Sequence, residues 1–222
     1  MRIKNIILAF LGLMILQIAI AEENISKKVI NAEVKIKNIS WREAMTRLAE
    51  QTKTVICYEE VIERGMLSSP SDISKNLKNL TLGIVLNEIM KLSNDTFYWE
   101  ENDGVIVIMP KGNKMMNNYL FNVRVPSLSV KQKTIREIVT DELPKILGRE
   151  WNVEFLDDKK IPDTEKIDLE AKYLTVRKIF CKIAGITKIP FRYNFREGTG
   201  KGNIEFLEPP KPSSNNIEKT KV

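Results

Sequence analysis

Apolar residues recur along this chain in two rhythms, and the order in which the rhythms alternate predicts the elements. Val34 and Ile36 alternate with Lys35 and Lys37, the period of a half-buried strand. Ser40-Trp41-Arg42-Glu43 has the spacing of a capping box, in which the Ser40 hydroxyl accepts from the Glu43 N–H and the Glu43 carboxylate accepts from the Ser40 N–H. Ala44, Met45, Leu48 and Ala49 then return at helical spacing. Val55-Ile56-Cys57-Tyr58 reads as a second strand, and Ile73 and Leu77 belong to a weaker one. Thr81 is placed to cap a second helix with the stripe Leu82, Val85, Leu86, Ile89 and Met90. A hairpin closes the unit: Thr96-Phe97-Tyr98-Trp99 turns at Asn102-Asp103-Gly104 and returns as Val105-Ile106-Val107-Ile108. The order is β-α-β-β-α-β-β.

Ninety-four positions on, the order begins again. Lys37 meets Lys131, Arg42 meets Arg136, Glu43 meets Glu137, Leu80-Thr81 meets Leu174-Thr175, and Phe97 meets Phe191. The capping box returns as Thr134 with Glu137, and the second stripe as Val176, Ile179, Phe180, Ile183 and Ala184. A shift held over so many elements predicts two tandem copies of one small α+β module. Two departures stand out. Pro144 should end or kink the first helix of the second copy, and the last turn, Glu197 to Gly202, is long and glycine-rich. Both make the second copy the one expected to open more easily. Leu120 to Pro126 joins the copies, read as one more strand.

Composition changes the picture at the ends. Arg2 and Lys4 precede the apolar run Ile6 to Ile20, and Ala19-Ile20-Ala21 is a small-x-small cleavage pattern followed by Glu22-Glu23. The run is shorter than the ~20 residues that a membrane span needs. The expected organisation is a signal peptide over 1–21, a polar lead-in over 22–33, modules over 34–111 and 128–208 with a linker over 112–127, and a disordered tail over 209–222. The mature chain is expected in the periplasm or envelope-associated after cleavage near Ala21, with membrane contact only through a partner or an uncleaved signal. The formal charge of +6 is spread among mixed charges with no basic block.

Candidate chemistry is sparse. The chain has no histidine, which removes His-paired nucleophiles and the usual zinc ligand sets. Asp157, Asp158 and Asp163 match no calcium-loop spacing, and Glu59-Glu60 reads as a solvated pair rather than a catalytic dyad. Gly198-Thr199-Gly200-Lys201-Gly202 fails the phosphate-loop spacing and lies between strands, so it reads as a hairpin tip. No catalytic, cofactor-binding or metal-binding residue is singled out, no cofactor is expected, and the chain reads as a non-enzyme. Cys57 and Cys181 are open to two readings, a disulfide or two small buried groups.

The run from Val34 through Ile36, Ser40, Glu43-Ala44-Met45 and Leu48 to Thr52, the stretch Leu77 to Met90, then Phe97-Tyr98-Trp99 and Gly104 to Ile108 resembles the secretin and TonB short N-terminal domain. The resemblance covers Val34 to Lys111 well and Leu128 to Glu208 more loosely, through the internal repeat. It implies two KH-like, secretin N-domain-like modules without a secretin channel or a receptor barrel. It also implies a periplasmic protein–protein interaction module: an adaptor for a secretin-type or TonB-linked envelope complex, or a self-associating one. The alternative is a KH-like protein binding nucleic acid or another anionic polymer, although export and the missing G-x-x-G loop leave nucleic acid unexpected as a partner.

Overall fold

The computed structural model describes residues 24–30, 35–36, 41–61, 75–76, 79–92, 96–116, 119–148, 151, 153–155, 161–163 and 165–209. The signal-like segment, the Ser40 cap, the strand around Ile73 and Leu77, Asp157-Asp158 and the tail beyond Pro209 lie outside them. The chain is mixed α and β. After a 3-10 turn at Ile25–Lys27 come β1 (Val29–Ile30), β2 (Lys35–Ile36), helix α1 (Trp41–Thr52), β3 (Val55–Val61), β4 (Lys75–Asn76) and β5 (Leu80–Thr81). Helix α2 (Leu82–Leu92) and the hairpin β6 (Phe97–Asn102) and β7 (Val105–Pro110) complete the first half. Two further 3-10 turns, at Asn113–Met115 and Leu120–Asn122, lead to β8 (Arg124–Thr134), helix α3 (135–147), β9 (Val153–Phe155), β10 (Lys166–Thr175), α4 (Val176–Thr187), β11 (Phe191–Arg196) and β12 (Lys201–Phe206).

The local signals in the sequence account for most of these elements. Ala44, Met45, Leu48 and Ala49 of α1 and all five stripe residues of α2 are buried. Thr134 caps α3 with its hydroxyl on the Glu137 N–H at 3.2 Å, while the Glu137 carboxylate accepts the Thr134 N–H at 2.8 Å. The β6–β7 turn holds Asp103 at φ 51° and Gly104 at φ 71°, the doubly left-handed conformation that suits a twisted two-residue hairpin.

The repetition is visible in the backbone and begins earlier than the alternating pattern suggests. The segment expected as a polar lead-in contains the first 3-10 turn and β1. In it the Lys28 N–H donates to the Ile25 carbonyl at 3.0 Å and the Leu82 N–H to the Lys28 carbonyl at 2.9 Å. The second half has the same two bonds, Val123 to Leu120 and Val176 to Val123, each 2.9 Å. Ile36 pairs with Lys75 in the first half, and Val130 with Leu169 in the second. Asn79 and Tyr173, ninety-four residues apart, are both left-handed, at φ 60° and 55°.

Pro144 does not break α3. The helix runs as Ile135–Glu137, a π turn at Ile138–Glu142 and a final α segment at Leu143–Leu147, with the proline in its first turn. The wider π turn shifts the hydrogen-bond register, so the missing proline N–H falls where a new α segment starts and its donors have no intrahelical partner.

The two halves share one six-stranded sheet, ordered β6-β7-β3-β11-β12-β9. They meet at a parallel ladder in which Arg192 to Phe195 lie beside Tyr58 to Val61. Taking β3 as up, β6, β7 and β3 run down, up and up, whereas β11, β12 and β9 run up, down and down. The halves are therefore related by a half-turn about an axis across the strands together with a shift along it. The half-turn puts their helices on opposite faces. Ile56, Tyr58, Ile106 and Ile108 pack with α1 and α2. Val55, Cys57, Val105 and Val107 face the other way and pack with α3 and α4 of the second half. So β3 and β7 are buried along their whole lengths, while β11 and β12 alternate. Gly185 allows α4 to lie on the first hairpin: a Cβ there would stand 2.8 Å from the Asp103 carbonyl oxygen.

Candidate functional site

The junction of the halves holds the most concentrated polar chemistry among the described residues. Glu59 sits on β3 with no exposed surface, and Arg177, in the first turn of α4, is 5% exposed. The Arg177 guanidinium donates through Nε to Glu59 Oε1 at 2.5 Å and through Nη2 to Oε2 at 2.8 Å, a bidentate fork. The Tyr119 hydroxyl donates to Glu59 Oε2 at 2.9 Å and accepts from Asn113 Nδ2 at 3.1 Å. Burial first, then the Glu59 charge, pushes the Tyr119 phenol well above its ordinary value, so it remains a donor. Burial opposes the charge on Arg177, but Glu59 more than offsets it and raises the guanidinium.

This arrangement corrects the expectation of a solvated Glu59-Glu60 pair. Both carboxylates lie on a fully buried strand. The signal available in the sequence was the helical register of Arg177, which shares a face with Cys181 and Ala184 whereas the neighbouring Lys178 does not. Around the network is an aromatic cluster. Phe121 stacks on Tyr193 with centroids 4.1 Å apart and planes 3° apart, and Tyr119 meets Tyr193 and Phe195 edge-on at 5.3 and 5.0 Å. The site engages both Glu59 carboxylate oxygens with three donors, and so ties β3, α4 and the segment entering the turn at Leu120–Asn122 together.

Cys57 and Cys181 lie in one core cluster, near enough to interact electrostatically. Cys57 and Cys181 are both buried free thiols. The Cys57 sulfur accepts from the Phe191 N–H at 3.5 Å, and burial pushes both thiols up. Neither thiol is therefore expected to react with an aromatic disulfide reagent in the folded chain, and both should react once denaturant is added. Prompt reaction of two thiols without denaturant would contradict this packing. Asp163 is exposed and 3.7 Å from Arg136. Among the described residues no group of three or more metal-ligating side chains is close enough to hold a metal ion. Gly202 is a contact residue of the Tyr193 ring rather than part of a free tip.

A groove of about 650 Å³ opens beside the outer strand β6. One wall carries Glu100, Glu101 and Asn102, the other Arg124 and Lys178 at the start of β8 and α4. Among the described residues, β6 pairs with β7 on one side and with no strand on the other. Among the described residues no helix is long and apolar enough to cross a membrane. In comparisons with known proteins, no family model, no curated protein and no solved structure matches the chain.

Proposed function

We propose that the chain is a non-catalytic protein–protein interaction module of the cell envelope, built from two units of the secretin N-domain-like, KH-like kind. It would act as an adaptor in a secretin-type or TonB-linked complex after export. The observation that carries this reading is the groove beside the outer strand β6, whose walls carry opposite charge, Glu100 and Glu101 against Arg124 and Lys178. An edge strand offers a row of backbone donors and acceptors that an extended partner segment can complete, and flanking charges select the segment. The resemblance of Val34 to Lys111 to the short N-terminal domain supplies the compartment and the class of partner.

The test is capture from envelope extracts at low salt, with the folded chain as bait and a β6 variant, Trp99→Pro, as comparison. Proline removes an N–H from the strand and blocks pairing at that point. A protein retained by the native chain and lost with the variant is the expected result. Recovery of no specific protein, or equal recovery with both baits, overturns the reading.

A further inference from the structure

The internal junction shows what one unit requires of the next, and the same requirements can be checked at the two outer ends. At the junction the incoming unit brings an apolar hub: Tyr119, Phe121 and Phe195, with Arg177 for the buried Glu59. The receiving unit brings an apolar back face made by Val55, Cys57, Val105 and Val107. Repeating the half-turn and shift would add a third unit at either end, in the same strand direction as the present junction.

Neither end meets the requirements. At the β6 end, the positions equivalent to Tyr119, Phe121, Arg177 and Phe195 are Asn24, Ser26, Gly83 and Glu101. The Glu101 carboxylate accepts from the N–H groups of Ile25 and Ser26, at 2.6 and 3.1 Å, so it closes the first 3-10 turn over the strand. Gly83 lies under that turn: a Cβ there would be 3.2 Å from the Ser26 carbonyl oxygen. At the other end, the positions matching Cys57, Val105 and Val107 are Glu154, Lys201 and Asn203, with Lys201 Nζ 3.4 Å from Glu154 Oε1, and the adjoining back face of β11 is polar and paired with β12. Arg192 Nη1 donates to Glu205 Oε2 at 3.1 Å, and Asn194 Nδ2 to Asn203 Oδ1 at 2.9 Å.

We infer that the sheet is a terminated two-unit array. The Glu101-clamped turn caps one end, the polar face of Glu154, Lys201 and Asn203 caps the other, and together they exclude further copies of this chain. Repeat arrays generally need polar terminal units for this reason, since an apolar stacking face left open joins molecules head to tail. The inference concerns copies of this chain and stands whether or not the envelope reading holds.

Sedimentation equilibrium of the full chain tests it, with two variants that give an outer end the character of the inner junction. Ser26→Phe with Glu101→Phe installs the second half's own residues at the β6 end. Glu154→Val with Lys201→Val and Asn203→Val makes the positions matching Cys57, Val105 and Val107 apolar. The expected result is a native chain of single-chain mass at every concentration, and at least one folded variant whose average mass at least doubles as concentration rises. Circular dichroism and exchange protection of β3 and β7 report whether each variant is folded. A native chain that associates with added protection of β6 amides overturns the inference, whatever the variants do. So does single-chain mass in the variants that fold.

Discussion

Replacing Glu59 with leucine is expected to cost about 3–5 kcal/mol of unfolding free energy, the scale for breaking a buried ion pair from one side. The reason is what remains. Arg177 stays 5% exposed with its fork aimed at an apolar side chain, and the Tyr119 hydroxyl loses its acceptor. The pair itself contributes far less, because desolvating both charges offsets most of their attraction. Glu59→Leu with Arg177→Met should therefore recover most of the loss, so the coupling between the two sites is at least as large as the cost of one single variant, about 3 kcal/mol or more. Urea unfolding of the two single variants and the double variant measures this directly. A Glu59→Leu cost below about 1 kcal/mol, or a double variant as unstable as the sum of the singles, would show that the network does not hold the junction. The same comparison can be made locally. Glu59→Leu should raise amide exchange in β11 and the first turn of α4 more than in α1, because Glu59 belongs to the second-half core although it sits on a first-half strand.

How far the sequence discloses this molecule depends on how local each cause is. The helical stripes of α1, α2 and α4, the Thr134–Glu137 box and the Asp103-Gly104 turn depend on neighbours within a few residues, and all are legible. The fusion of the halves is not, because it pairs Tyr58 with Arg192, far apart in the chain. A trace of it exists. Val55 to Val61 and Val105 to Pro110 lack the polar alternation seen in Phe191-Arg192-Tyr193-Asn194-Phe195, and a strand apolar on both sides must be covered on both faces. Followed through, that contrast would have placed the second half's helices over the first half's strands. It would also have placed Glu59 in the interior, where Arg177 is its natural counter-ion. The early start of the repeat was hidden for a different reason: Asn24 and Ser26 stand where Tyr119 and Phe121 stand in the second half, so the backbone repeats while the side chains diverge. Pro144 misled because proline forbids an α register at its own position, and a π turn just before it changes that register.

Gly202→Ala is expected to cost about 3 kcal/mol, at the upper end of what one added methyl does in a packed interior. On β12, Gly202 is paired with Phe195, and the Tyr193 ring lies across it. A Cβ at this position would fall within the ring, 2.6 Å from Cζ and closer to Cε2 and Oη. Such a contact is relieved only if something moves, and each mover is held. The Tyr193 ring has Phe121 stacked on it at 4.1 Å and Tyr119 against it at 5.3 Å. The strand is held between β11 and β9 by ladders on both sides. A glycine in a strand ordinarily weakens it, so an alanine that only improved local propensity would be stabilising by about 0.5–1 kcal/mol. The sign of the effect thus separates propensity from packing. The ring can be removed to confirm the cause. In a Tyr193→Leu background, itself destabilised by the cavity it leaves, the further change Gly202→Ala should cost less than about 1 kcal/mol, a coupling of roughly 2 kcal/mol between neighbours. Thermal or urea unfolding of the four proteins gives the cycle. An alanine tolerated within about 0.5 kcal/mol in the native background would mean that the aromatic cluster yields easily at this point, and that the hub joining the halves is softer than its stacking distances imply.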